Sequence, residues 1–440
     1  MSFPRYPEYK GSGVAWLGEV PGHWGLKRVK QVFRERDERS EDGSETLLSV
    51  SAYTGVSPRA EVIDEGDHLS RAESLEGYKV CYPNDLVMNI MLAWNRGLAF
   101  SNHEGIVSPA YSVFHVIDGS LPSFLNYLVR SDETILYYKA FSAGVIDSRL
   151  RLYPDVFGRL YMALPPLEEQ QTIAAFLDRE TGKIDALIAE QRRLVELLTE
   201  KRQAVISHAV TKGLNPNSPM KDSGIEWLGD VPEHWDRAQI GRVCKQVSDG
   251  PHFSPNYVDD GVMFLSARNI GVSSWHLDDA KFVSEEDYSE FCRRVIPEKG
   301  DVLYTKGGTT GIARVVDLDD RFQVWVHVAV LKINHDLVEP YYLAYALNSV
   351  GCYEQSQLHT RGATNKDLGL TRMTKIWFAL PPLDEQLEIR AFLHRETAAF
   401  DTLTAAANRA IALLQERRSA LISAAVTGKI DVRGIQSLPQ

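Results

Sequence analysis

Four loops in this 440-residue chain combine glycine, a hydroxyl or amide residue and a base: AWNRGLAFSN (93–102), SDGPHFSPNY (248–257), TKGGTTGIAR (305–314) and TRGATNKDLG (360–369). Glycine lets a backbone N–H approach a phosphate closely, while Arg, Asn and Thr can hold phosphate oxygens or read base edges. The chemistry that fits is recognition of nucleic acid. The donor-bearing candidates are Asn95, Arg96, Arg149 and Arg151 in the first half, and His252, Lys306, Thr309, Thr310, Arg361, Thr364, Asn365 and Lys366 in the second. Taken singly, each such loop is also ordinary turn surface, and Gly-Gly-Thr-Thr-Gly is a common hairpin. Their recurrence in both halves is what points to a ligand.

Signatures of bond-making chemistry are missing from the sequence. There is no GxxxxGK[ST] phosphate loop, and the TGK tripeptides at 181–183 and 427–429 lie in helical contexts without upstream glycines. Dinucleotide-binding, HExxH, GxSxG and zinc-deaminase patterns are absent, as is the Asn/Asp-Pro-Pro-aromatic grip on a flipped base. His252 has no Cys or His at metal-ligand spacing, and Glu285, Glu286 and Asp287 read as a solvated surface. No catalytic residue, metal site or cofactor is expected in this chain. Composition narrows the partners further. With 48 Lys+Arg against 59 Asp+Glu the net charge is −11, so any binding to DNA must be local rather than through bulk charge. Residues 25–157 carry 14 bases and 19 acids, and 223–373 carry 15 and 22, so the acidity sits in the loop-bearing segments themselves. Four cysteines without CxxC spacing suggest a reducing compartment. The opening MSFPRYPEYK is unlike a signal peptide and no apolar run reaches a membrane span of about 18 residues, so a cytoplasmic protein is expected.

The elements that must position these loops come in two copies. SGVAWLGEVPGHW (12–24) and SGIEWLGDVPEHW (223–235) share 9 of 13 residues and hold four of the eight tryptophans. LPPLEEQQTIAAFLDRE (164–180) and LPPLDEQLEIRAFLHRE (380–396) share 12 of 17. After each Pro-Pro the chain runs for more than 40 residues without proline, rich in Leu, Ala, Glu, Arg and Gln, which predicts a long helix. A three-four seam from Ile173 to His208 is apolar at seven of eleven positions, and its equivalent from Ile389 to Ala424 at nine. Such seams predict two helices pairing as an antiparallel coiled coil, with an internal pseudo-twofold repeat. Both are interrupted by an acid and a base, Glu180 and Lys201 in one, Glu396 and Arg417 in the other. Antiparallel pairing is expected to bring Glu180 to Arg417 or Arg418, and Glu396 to Lys201 or Arg202, fixing the register; these charges can equally be solvated flanks. Between the repeats, short β-branched runs such as VMFLSARNI and VWVHVAVLKI alternate with short helices. The fold class is α+β: two globular α/β domains (1–163 and 214–379) separated by two long helices (164–213, and 380–440 with a tail).

The duplicated WLGxVPxHW, the LPPLxEQ helix start, the AVT helix ending and the variable segments between them resemble the DNA-specificity subunit of type I restriction-modification enzymes. The resemblance covers essentially the whole chain, and residues 84–114 and 248–257 look like parts of that family's target recognition domains. It implies a non-catalytic subunit that reads a split double-stranded DNA sequence through two target recognition domains. It also implies two methyltransferase subunits as partners, with restriction subunits as optional further ones, and no membrane. S-adenosylmethionine, ATP and Mg would belong to the partners. The competing readings are a self-sufficient endonuclease or methyltransferase with an unfamiliar site, and a coiled-coil scaffold with no role on DNA.

Overall fold

The computed structural model describes residues 3–14, 16–52, 54–61, 74–146, 149–362 and 366–435. They form two compact units: one is the chain up to Arg192 together with the stretch from Arg409 onward, and the other is Arg193–Asn408. The dominant elements are two helices, Leu167–Lys212 of 46 residues and Leu383–Val426 of 44, and each contributes one stretch to each unit.

The first unit is built around a four-stranded sheet in the order Phe33–Arg36, Tyr111–Val116, Leu86–Asn89, Leu98–Phe100. Leu86, Met88 and Phe114 face the main core while Val87 and Val113 face a second, smaller one, the period-two alternation of a sheet covered on both sides. Helices Pro122–Val129, Asp132–Phe141 and Pro154–Arg159 follow, two of them opened by proline at their first turn. Strand Tyr161–Leu164 then pairs antiparallel with Gly25–Arg28 and leads into the long helix.

The second unit repeats this frame. Its sheet has the order Cys244–Asp249, Val328–Ile333, Val302–Thr305, Ala313–Val315. Val302, Tyr304, Ala329 and Leu331 face one core; Leu303, Val328 and Val330 face another. Here the second core is roofed by a further sheet of four short strands, Tyr257–Val258, Lys281–Val283, Val262–Leu265 and Phe322–Val324. In the first unit the described residues in the corresponding place make only two-stranded pieces, Leu48–Ser51 with Gly55–Pro58 and Lys79–Cys81 with Gly105–Val107. The frame is shared and the roof differs.

The duplicated motifs meet each other inside each unit, which accounts for their residue types. Glu169 of LPPLEEQ is 6% exposed and accepts from Tyr6 Oη (2.6 Å), Trp24 Nε1 (2.9 Å) and His23 Nε2 (2.6 Å), the last two from the VPGHW motif. Glu385 does the same for Trp235 Nε1 and for His234 Nε2 at 3.0 Å. The adjacent glutamines tie each helix start to its domain. Gln170 accepts from Leu121 N–H (2.7 Å) and donates to Pro165 O (3.0 Å); Gln386 accepts from Glu339 N–H (2.8 Å) and donates to Pro381 O (2.8 Å). Opposite them, the end of the other long helix closes on the same tryptophan. A Cβ on Gly213 would lie 3.1 Å from the Trp235 ring, and one on Gly428 would lie 3.3 Å from that of Trp24. Both glycines also have positive φ (76° and 74°), so the helix-ending AVT motif needs glycine for two reasons.

Within each unit the two helix stretches run antiparallel. In the first, the Glu169 end lies by Trp24 and Gly428, while further along Arg418 Nε and Nη2 donate to Asp185 at 2.9 and 3.2 Å. In the second, Arg202 lies 3.6 Å from Asp401. These pairs occupy equivalent positions in the two copies, and they correct the expected register residues. Glu180 is bound within its own helix by Arg179 (3.0 Å) and Lys183 (3.1 Å), and Glu396 sits beside Arg395. Lys201 and Arg417 are exposed. The expected acids are displaced by five residues because the seam interruptions fall on helix flanks, where a neighbour on the same helix satisfies them.

Candidate nucleic-acid interface

In the second unit, backbone hydrogen bonds gather loops that are far apart in sequence. Lys306 N–H donates to His327 O (2.8 Å), Leu368 N–H to Lys306 O (2.7 Å) and Gly308 N–H to Lys366 O (3.2 Å). Arg361 and Asp367 exchange backbone bonds of 2.9 and 2.8 Å across the neck of the 360–368 loop. The structure therefore brings His252, Lys306, Thr309, Thr310, Arg361 and Lys366 into one region, whereas Thr364 and Asn365 lie outside the described residues.

An ionic hub holds the loops from beneath. Asp249, almost wholly buried, is bound by Arg294 Nε (3.1 Å), Lys306 Nζ (3.4 Å) and His252 Nε2 (3.3 Å). Burial opposes the Asp249 charge, yet the Arg294 hydrogen bonds and the Lys306 charge outweigh it and hold the carboxyl below the ordinary aspartate range. Lys306 also reaches Asp367 (3.3 Å), and its side chain is only 7% exposed. Two expected ligand contacts are thereby corrected. Lys306 is a structural tie between loops, and the buried Thr310 receives hydrogen bonds from Gln357 (3.1 Å) and Thr360 (3.3 Å). Glycine-punctuated sequence cannot separate the residue that braces a loop from the one displayed on it. Gly308, Thr309, Arg361 and Lys366 are the displayed ones, all exposed, with Gly308 at φ 72° making the tip.

In the first unit, Asn95 and Arg96 lie on a tight turn in which Arg96 adopts φ 58°. Leu152 N–H donates to Ile90 O (2.9 Å), joining this turn to the 149–152 segment, and Arg151 and Ala143 exchange backbone bonds of 2.9 Å. Asn95, Arg149 and Arg151 are exposed; Arg96 is half-exposed and engages Asp132. The reading by glycine missed Arg130, which donates to Leu98 O (2.8 Å) and Ala52 O (2.7 Å) and so ties the turn to the smaller hairpin. Burial, then the Arg96 and Arg418 charges, lower its pKa. Arg96, Arg130 and Arg418 line a cleft of about 980 Å³ beside the helices, together with Asp132, Asp178 and Asp185. Its charges are mixed, so the acidic balance of the segment is spent largely on internal pairs.

Among the described residues, no group of three or more His, Cys, Asp or Glu could hold a metal ion, and no helix is long and apolar enough to cross a membrane.

Comparison with known proteins points one way. The family described as "Type I restriction modification DNA specificity domain" matches residues 232–412. The MjaVIII type I specificity subunit of Methanocaldococcus jannaschii is 23% identical over 359 residues, 79% of this chain and 80% of the relative. The EcoBI specificity subunit of Escherichia coli is 23% identical over 371 residues, 81% of this chain and 75% of the relative. A solved structure described as "Structural basis underlying complex assembly and conformational transition of the type I R-M system" superposes with a TM-score of 0.69 at 18% identity. It covers 92% of this chain and 98% of that one. Alongside the paired Trp–Glu clamps, the duplicated frame and the divergent loops, these likenesses agree: the chain is similar to the type I restriction-modification DNA specificity subunits over most of its length.

Proposed function

We propose that this chain is the non-catalytic subunit that chooses the DNA target, each unit reading one half of a split double-stranded sequence. The observation that carries this is the contrast inside one chain between a frame kept alike in both units and loops and roofs that differ. A protein reading two different half-sites needs a constant frame and variable readers. Asn95, Arg96, Arg149 and Arg151 in one unit, and His252, Thr309, Arg361, Thr364, Asn365 and Lys366 in the other, are the proposed DNA-facing residues. On this reading, 1–163 and 214–379 are the recognition domains. The helices of 164–213 and 380–440 pair antiparallel about a pseudo-twofold axis and act as spacer. Two methyltransferase subunits dock on them, with restriction subunits as further partners. S-adenosylmethionine, ATP and Mg reside in those partners, and the complex works in the cytoplasm.

The test is selection from random duplex DNA by the complex reconstituted with its methyltransferase subunit. A split motif with a fixed gap is expected; enrichment of nothing supports a scaffold instead. Turnover by the isolated chain on DNA with Mg²⁺ or labelled S-adenosylmethionine would refute the division of labour.

A further inference from the structure

Beside the displayed Gly308–Thr309 tip, the second unit holds a pocket of about 370 Å³ that the reading of loops does not explain. Its walls are aromatic: Tyr257, Phe264, Trp325 and His327 all line it. The rings are grouped, with Trp325 and His327 centroids 4.7 Å apart and Tyr257 and Phe264 6.3 Å apart. Tyr257 is 47% exposed, and Trp325 and His327 are partly so, an unusual cost for large rings unless something covers them. Two exposed cations, Arg268 and Lys281, stand in the lining, Arg268 within 3.4 Å of Asp279. The rest of the lining is small, Gly307 and Gly308 with Ser266, Ala267 and Thr309. A Cβ at Gly307 would come within 2.4 Å of the His327 ring, so the glycine is what admits that ring beside the loop.

This combination has a definite ligand chemistry. Flat π faces with adjacent cations and close backbone suit a nucleobase with its phosphate: rings stack on any base, and cations meet the backbone. Burial and then the neighbouring Lys306 charge lower the His327 pKa, which favours the neutral ring that can both donate and accept at a base edge. The pocket is continuous with the loops proposed to meet DNA, which brings duplex to its mouth. A paired base cannot present its face to Trp325 or Tyr257; only an unstacked one can. The roofing sheet that carries Tyr257, Phe264 and Lys281 belongs to the second unit, and the described residues of the first build no such sheet. We therefore infer that the second unit captures one unpaired base of its half-site in this pocket, in addition to any base that a methyltransferase extrudes. The inference rests on the DNA-reading proposal.

An extruded base is cheaper to capture when its pair is already broken. In the reconstituted complex, each nucleotide of the selected half-site is in turn placed opposite an abasic residue and binding is measured. Tightening of at least tenfold is expected at one position that Trp325→Ala and the surface-lying Tyr257→Ala both abolish, while Trp325→Phe keeps it. Tightening at a base that the methyltransferase itself extrudes should survive all three changes, since that base enters the partner. Sequence-selective binding with no position dependent on Trp325 or Tyr257 would overturn the inference while leaving the DNA-reading proposal standing. So would protection of both rings from oxidation by the methyltransferase alone, which would make the pocket a protein contact. Loss of all selectivity in the unmodified complex would instead remove the DNA-reading proposal and this inference with it.

Discussion

The Glu169 clamp makes a quantitative prediction. Its carboxylate is nearly buried and is the acceptor for two fully or nearly buried donors, Tyr6 Oη at 2.6 Å and Trp24 Nε1 at 2.9 Å, and for the more exposed His23. Burial, with the bond to Glu169 next, pushes the Tyr6 hydroxyl up, so Tyr6 remains a donor throughout the usual pH range. Glu169→Ala leaves those two donors without their acceptor, at about 1–3 kcal/mol each, so the first unit should lose about 2–6 kcal/mol. The His23 contribution is discounted because that ring is well solvated. Glu385→Ala is the internal control. Glu385 is 34% exposed and its His234 partner 46%, so the loss in the second unit should be about half as large. Denaturant titration read by hydrogen exchange, which separates peptides of the two units, measures both. A loss below about 1 kcal/mol for Glu169→Ala, or the reverse order of the two variants, would refute the argument that the repeated Trp–Glu pair holds the frame together.

Three further expectations concern register, loop bracing and spacing. Asp185→Lys should cost about 0.5–1 kcal/mol, and adding Arg418→Asp should recover most of it, whereas the Glu180→Arg, Arg417→Glu swap should recover nothing; thermal melts of the four proteins decide. Lys306→Ala should destabilise the second unit by about 3 kcal/mol because Asp249 stays buried with one cation fewer, while Thr309→Ala or Lys366→Ala should weaken DNA binding and leave unfolding unchanged. The Asp249 carboxyl is held below its ordinary 3.8, so its stabilisation is complete above that value and fades as pH falls through the lowered one; Lys306→Ala should flatten this acid slope in unfolding experiments. Four residues inserted near Glu200 add roughly 6 Å of helix, close to two base-pair steps, so selection should return the same half-sites with an altered gap; altered half-sites would count against the spacer role.

The frame was legible in sequence because it is written twice. Trp24 and Trp235 at one end and Glu169 and Glu385 at the other are spaced alike, and their partnership needs only that the two motifs meet. Helix length was equally legible, since absence of proline and sustained apolar spacing are local properties. Register was not. Whether Arg418 finds Glu180 or Asp185 depends on how far one helix is slid along the other, and a seam with three-four spacing fits several slides about equally. The structure resolves this through the ends: once Gly428 is seated on Trp24 and Gly213 on Trp235, the slide is fixed and the charges take the partners it leaves them.

The same distinction governs the proposed interface and explains how an acidic chain can present it. Glycine, hydroxyl and base singled out the loops, but Lys306 within them is a brace, as is Arg130, which those signals did not mark, because bracing requires a carboxylate or carbonyl that arrives from elsewhere in the chain. Many of the bases are consumed in this way, and so are acids: Asp249 with Arg294 and Lys306, Asp301 with Lys332, Asp85 with Arg36. A net charge of −11 therefore says little about the potential at the loop tips, where Arg361 and Lys366 are displayed above a hub whose carboxylates are already matched. It does bear on affinity. Phosphate neutralisation scales with the cations that reach the backbone, and among the described residues the gathered loops of the second unit display Arg361 and Lys366 against an acidic segment, so the isolated subunit should bind duplex weakly at physiological salt and gain affinity when methyltransferase subunits join. Titration at several salt concentrations measures this directly: a shallow dependence is expected for the free chain and a steeper one for the complex. Equal slopes would place the positive potential here after all.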